Sequence, residues 1–294
     1  MLAAYEPLAG VPASMRRSYL VLDVFTDTPL AGNALGVVTD AAGLSGADMQ
    51  SIARELNLSE TVFFLEPSGA QADVRIRIFT PASELPFAGH PVLGAAVVAG
   101  GALGLRELTI ETAAGAVPVS LDPAEGRARS GWMTQPLPVW REFDEAAQLL
   151  AALGGRRSTL PVVLYDNGPR HVIVTLQSQE QVGALTPDLR ALGGLGEICI
   201  SCVAGEGALY KNRMFAPSLG VPEDPATGSA AGPIAVHLAR NGVVPFGLEI
   251  EIRQGLEVGR PSLLRAIAEG SPERLERVRV GGCAVIVAAG SLML

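Results

Sequence analysis

The stretch "HPVLGAAVVAGG", His90 to Gly101, is apolar on every side. Pro91 falls in the first turn, where proline is tolerated, and Gly100 stands near the end, so the stretch reads as a helix. A helix with no polar face has to be surrounded by protein. The rest of the chain must therefore supply a curved wall around it. A second candidate begins in "EDPATGSAAGPIAVHLARNG", Glu223 to Gly242. Each is preceded by a similar strand: "RIFTP" (Arg77 to Pro81) before the first and "RMFAP" (Arg213 to Pro217) before the second. A five-residue echo alone carries little, but the order of elements around it repeats as well.

In the first half, "YLVLDVF" (Tyr19 to Phe25) reads as a strand, followed by a Gly-Asn turn and a short strand in "LAGNALGVVTD". "LSGADMQSIARELN" is a helix with Ser45 as N-cap and Ile52 and Leu56 on one face. "ETVFFLE" is a strand, and "ADVRIRIFT" alternates Val74, Ile76 and Ile78 with Arg75 and Arg77, as a half-buried strand does. "ELTIETAAGAVPVSL" is a hairpin. In the second half, "VVLYDNGPRHVIVTL" gives strand, turn, strand. A weak helix follows near Pro187–Leu192, then the strands "EICISCVA" and "ALYKNRMFAP" and a hairpin region from Leu248 to Arg253. The last strand, "CAVIVAAG", has no place in the second repeat and is expected to return to the first half. The fold class is α/β (α+β): two pseudo-symmetric halves, each a curled mixed sheet around a central apolar helix. The expected division is residues 17–130, joined by strand 282–290, against residues 131–281. Met1–Ser14 reads as a loose extension.

At about 150 residues per domain, 294 residues are compatible with two such units. Only 5% of residues are aromatic, so the core must be built from Ala, Val, Leu and Ile. A net charge of -8 without a basic cluster argues against a nucleic-acid partner. Three cysteines form no disulfide framework, and no apolar run reaches the roughly 20 residues that span a bilayer. No secretory signal opens the chain. A cytoplasmic protein without a membrane partner is expected.

If the halves face each other, the starts of both apolar helices can point into one cleft and offer free N–H groups and positive dipole ends to a small anion. The first start carries Gly89 and His90, and the second carries Thr227, Gly228 and Ser229. Ordinary capping explains either start alone; two matching starts favour a site. Glu60, in "NLSETVFF", stands at a helix–strand junction. Partial burial there would raise its pKa and suit it to proton transfer, whereas a strand-start Glu facing water would have no such role. Asp224, in "PEDPATGS", either turns the chain or serves the second helix start. His171, within an apolar strand, and His237, on a buried-looking helix, read as structural. "CISC" (Cys199 to Cys202) places its thiols on opposite faces of a strand, and no second pair completes a metal site. "AGNALG" has no Lys-Ser/Thr and is not a phosphate loop.

Four stretches together, "LDVFTDTPLAGNALGVV", "ELNLSETVFF", "RIRIFTPASELPFAGHPVLGAA" and "VPEDPATGSAAGPIAVHL", resemble the PhzF-like (phenazine biosynthesis) isomerase family, which shares the diaminopimelate epimerase fold. The resemblance covers nearly the whole chain from Tyr19. It implies an isomerase, commonly a homodimer, working without a cofactor or metal on a small carboxylated substrate. It implies that Glu60, His90 and Asp224 are catalytic, and that Gly89, His90, Gly228 and Ser229 bind substrate. In the phenazine-pathway member, the glutamate would shuttle a proton between carbons of a dihydroxylated cyclohexadiene carboxylate. One departure is Ala34, where the family usually has proline after Gly-Asn; a local loop change is expected. The opposed cysteines of epimerases with this fold fall on Ala88 and Ala226, which disfavours a two-thiol racemase. An epimerase or racemase using Glu60 with His90 or Asp224, or a silent binding protein of the same fold, are the alternatives.

Overall fold

The computed structural model describes residues 16–123 and 128–294; the extension expected over Met1–Ser14 lies outside them. In the first half, β1 (Arg16–Val24) pairs antiparallel with β2 (Asn33–Val38). β2 then runs parallel, across α1 (Gly46–Leu56), to β3 (Glu60–Leu65). β3 is antiparallel to β4 (Val74–Phe79), which takes the short β5 (Glu84–Leu85) antiparallel. Across α2 (Gly89–Leu103), β4 is parallel to β6 (Glu107–Thr112). β6, β7 (Gly115–Leu121) and β8 (Ala128–Gln135) then follow antiparallel.

The second half repeats this order. β9 (Val139–Glu142) and the helix α3 (Ala146–Ala152) lead to β10 (Val163–Asp166), which is antiparallel to β11 (Arg170–Thr175). β11 is parallel, across α4 (Gln179–Gly183) and α5 (Leu189–Gly193), to β12 (Cys199–Glu206). β12 is antiparallel to β13 (Leu209–Ala216), which takes β14 (Val221–Asp224) antiparallel. Across α6 (Gly228–Arg240), β13 is parallel to β15 (Glu249–Gln254). β16 (Ser262–Gly270) and β17 (Leu275–Met293) close the series antiparallel.

Two expectations need correction. β1 starts at Arg16 and ends at Val24, because Phe25 turns into the left-handed region with φ 64°. The last strand is β17, 19 residues long from Leu275; it returns to the first half as expected, pairing with β1 and β8, but it also has a place in the second repeat. Its first part pairs with β16 as β8 pairs with β7; its second part pairs with β1 as β9 pairs with β10. β8 and β9 are thus the counterpart of one strand, interrupted by Pro136 and Pro138, which cannot donate to a ladder. β17 also pairs with β8 from Val278 to Val285, which sews the halves together. The expected division at residue 130 falls inside β8.

α2 is buried without a break from Gly89 to Val97, as an all-apolar helix must be. It packs on β1, β2, β6, β7 and β8, while α6 packs on β11, β12, β16 and β17. Burying each of Val92, Leu93 and Val97 contributes roughly 1.5–3 kcal/mol. α1 starts at Ser45 in a reciprocal capping box with Asp48. Among the described residues, no helix is long and apolar enough to cross a membrane.

The two thiols of "CISC" do face opposite sides: Cys199 packs with Met214 and Ala216, Cys202 in a cluster with Ile200 and Phe215. Burial pushes both up to about 12. Cys202→Ser is expected to lower stability by about 1–3 kcal/mol in urea denaturation, by burying a hydroxyl, and to leave turnover unchanged.

Candidate active site

The two apolar helices start against each other. A Cβ added at Gly89 would lie 2.7 Å from the Gly228 carbonyl carbon and 2.7 Å from the Ser229 nitrogen. One added at Gly228 would lie 2.8 Å from the Phe25 ring and 3.1 Å from the His90 nitrogen. Glycine is required at both positions for the helix ends to approach this closely. Neither end has a side-chain cap: Ala88 has no donor or acceptor to offer, and Thr227 turns its hydroxyl elsewhere. Ala230 N already donates to Thr227 O and Pro91 has no N–H, so it is the N–H groups of Gly89, His90, Gly228 and Ser229 that are placed to serve something else.

The first carbonyls of α6 are held from both sides. Gln135 Nε2 donates to Gly228 O at 2.8 Å, and Asn167 Nδ2 donates to Ser229 O at 3.0 Å. Ser229 O needs that donor, because Pro233, four residues on, has no N–H to give.

The structure brings Glu60, His90 and Asp224 into one electrostatic cluster. Glu60 starts β3 beside Leu35 of β2, and its Oε2 lies 3.2 Å from His90 Nε2, with side-chain exposures of 17% and 5%. Neither of these two atoms has a hydrogen-bond partner within the protein. Buried polar atoms are paired in the great majority of cases, so an orphaned pair facing each other marks capacity for a ligand. Burial, with the Asp224 carboxylate adding to it, pushes Glu60 from 4.5 up to about 8. Burial holds His90 down at about 3, against the opposing pull of a hydrogen bond with the Ala34 backbone. At neutral pH the imidazole is uncharged and Glu60 is mostly protonated, so the contact is not an ion pair.

Asp224 is pushed up to about 6 by burial, opposed by hydrogen bonds from Thr227 and Asn33. Thr227 Oγ1 donates to Asp224 Oδ2 at 2.5 Å, and Asn33 Nδ2 donates to Asp224 Oδ1 and to Ala226 O, each at 2.9 Å. Gln254 Nε2 donates to Thr227 Oγ1 at 2.9 Å and to Asp224 O at 2.7 Å, while Asn212 Nδ2 donates to Gln254 Oε1. Asn33, Gln135, Asn167 and Gln254 were not among the sequence-derived site residues. Gln254 left a signal: it continues the inward register of Ile250 and Ile252, where a third apolar residue would be ordinary.

His237 stays outside the site, with Nδ1 3.1 Å from the Tyr165 hydroxyl, and His171 is fully buried within β11. Cys199, although it faces away from Cys202, lies close enough to feel both Asp224 and Glu60. A separate cavity of about 520 Å³ is lined by Phe25, Asp27, Gln254, Pro261 and Cys283 among others. Glu60 and His90 do not line it, so it is not the place where their chemistry would occur.

The raised pKa of Glu60 predicts a pH-dependent stability. The unfolded chain releases this proton near 4.5 and the folded chain near 8, so the folded state binds more protons between those values and loses stability as pH rises. Glu60→Gln removes the effect. Its melting temperature is expected to exceed that of the natural chain by a margin that grows from pH 5 to pH 8; a margin independent of pH would contradict the assigned burial.

The profile of the PhzC-PhzF family, described as "Phenazine biosynthesis-like protein", matches residues 22–290. The chain belongs to the PhzC-PhzF family. Among its relatives, the trans-2,3-dihydro-3-hydroxyanthranilate isomerase of Pseudomonas aeruginosa is 49% identical over 276 residues, covering 94% of this chain and 99% of that protein. The crystal structure of the Bacillus anthracis phenazine biosynthesis protein, PhzF family, superposes with a TM-score of 0.83 at 27% identity, covering 95% of this chain and 99% of that one. A hydroxyproline epimerase from Agrobacterium vitis shares the fold alone, with a TM-score of 0.64 at 14% identity over 95% and 91% of the two chains. The PhzC-PhzF chain is thus an isomerase with the epimerase-like fold of two halves.

Proposed function

We propose that this PhzC-PhzF protein is a cofactor-independent isomerase that moves a proton between ring carbons of a small cyclohexadiene carboxylate, with Glu60 as the group that carries the proton. The observation that carries the reading is the buried, unpartnered contact between Glu60 Oε2 and His90 Nε2 beside two uncapped helix starts. The N–H groups at Gly89, His90, Gly228 and Ser229 suit the substrate carboxylate. His90 orients the ring and keeps a neutral imidazole against the carboxyl. Asp224, held by Asn33 and Thr227, sets the field in which Glu60 ionises. The name of the Pseudomonas relative makes trans-2,3-dihydro-3-hydroxyanthranilate the first substrate to test. That compound carries one amino and one hydroxyl group, which corrects the dihydroxylated carboxylate expected from the sequence.

Glu60 must lose its proton before it can take one from carbon. The rate of the free enzyme, kcat/KM, is therefore expected to rise with pH along a limb between about 6 and about 8, shared by Glu60 and Asp224 and not assignable to either alone. A flat profile across that range would count against a carboxyl base. The alternative of a two-thiol epimerase has no support, since Ala88 and Ala226 carry no proton to exchange. The test is turnover of trans-2,3-dihydro-3-hydroxyanthranilate followed by ¹H NMR. A new isomer with moved double bonds supports the reading, an epimer with the double bonds in place supports the alternative, and binding without conversion supports a silent binder. A homodimer is part of the same proposal; a one-chain mass in light scattering would remove it.

A further inference from the structure

We propose that Arg260 is a positioning residue for the site: its guanidinium straps the strained β1–β2 turn of the first half to the second half, and through that turn fixes Asn33 against Asp224. The inference rests on the reading of Asp224 as part of the reaction site. Arg260 lies between β15 and β16, outside every motif that carries the family resemblance. Its Nη2 donates to Asp23 Oδ1 at 2.5 Å and to Ala31 O at 2.6 Å, and its Nε donates to Gly32 O at 2.6 Å. Asp23, only 1% exposed, uses its other oxygen to accept from Leu30 N at 2.6 Å. One planar cation thus ties the start of the turn, at Asp23, to its end, at Ala31 and Gly32, and Asp23 holds Leu30 as well.

The turn needs holding. Phe25, Leu30 and Gly32 all have left-handed φ, of 64°, 67° and 63°. For Phe and Leu that conformation is costly and persists only where the surroundings over-determine it. Within the turn, Thr26 Oγ1 accepts from Thr28 N and donates to Thr28 O; from outside it, Phe25 N donates to Cys283 O, Leu263 N to Phe25 O, and Gly32 N to Pro261 O. What the turn delivers lies at the site. The Phe25 ring abuts Gly228 at the start of α6, Asn33 bonds Asp224 and Ala226, and Ala34 engages His90. A lysine could supply the charge but not three donors in one plane, so Arg260→Lys is expected to restore function only in part.

The test combines a readout that needs no substrate with a mutant cycle. In Arg260→Met, amide exchange at Leu30 and Gly32 is expected to rise by about tenfold or more while β3 keeps its protection. Loss of the alignment should lower kcat by roughly 10²-fold in the natural background. In the Asn33→Ala background the same change should cost less than about threefold, because the two act through one contact. Full additivity of the two losses, or unchanged exchange at Leu30 and Gly32, overturns the strap. If Arg260→Met fails to fold, Arg260→Lys carries the same two measurements with smaller effects in the same directions. Absence of turnover in the natural chain would instead defeat the proposed reaction, and the strap would then stand or fall on the exchange data.

Discussion

Glu60→Gln is expected to bind substrate with little change and to turn it over ~10²–10⁴-fold more slowly, the typical effect of losing a general acid–base group. The loss should lie at the upper end, because a single carboxyl would act first as base and then as acid. The amide keeps the size of the carboxyl and the contact with His90, so the fold and the anion contacts at the helix starts remain. The variant should therefore show an unchanged Kd by calorimetry together with a collapsed kcat. His90→Ala and Asp224→Asn should cost less, since each acts by orienting the substrate or tuning Glu60. Near-normal kcat in Glu60→Gln would remove the carboxyl from the reaction.

Gly89→Ala should damage both stability and turnover. Its Cβ would meet backbone atoms of Gly228 and Ser229 at 2.7 Å, and backbone cannot turn aside as a side chain does. Overpacking of this kind costs about 1–3 kcal/mol, and the helix starts can relieve it only by moving apart. A shift of about 1 Å in a positioned site is enough to lose ~10²-fold in rate. Gly101→Ala, in the same helix, is the control: its Cβ would lie 3.9 Å from the nearest side-chain atom, Arg129 Nη1, and alanine is the better helix former by roughly 0.5–1 kcal/mol. One helix should thus respond to the same substitution with opposite signs at its two ends. Equal stability changes at both positions would mean that the helix starts do not touch.

Much of the fold was legible because burial leaves local patterns. The unbroken apolarity of α2 announced a surrounded helix, and the alternation in β4 announced a half-buried strand. The repeat of strand, helix and strand around "RIFTP" and "RMFAP" announced two halves. The length of β17 was harder to see, since Gly281 and Gly282 interrupt an alternation that Val278 and Val280 begin. Pro136 and Pro138 likewise hid the correspondence of β8 and β9 with that strand. At the site, the carboxyls and the imidazole stood out as chemistry in unusual surroundings. The amides did not. Asn33 and Asn167 look like turn residues, and their bonds reach 191 and 62 residues along the chain. Arg260 is one arginine in a polar loop, and only the folded chain shows that Asp23, 237 residues away, is its partner.

In the proposed reaction a hydrogen leaves one ring carbon for another, carried by Glu60. The substrate for following that transfer is trans-2,3-dihydro-3-hydroxyanthranilate deuterated at both saturated ring carbons and converted in ordinary water. A primary isotope effect on turnover is expected, with a product that has lost deuterium from one of those carbons. The label should appear at the carbon that gains hydrogen to the extent that the buried carboxyl reacts faster than it exchanges. A product that retains both deuterons in place would mean that no hydrogen leaves either carbon and that Glu60 carries none.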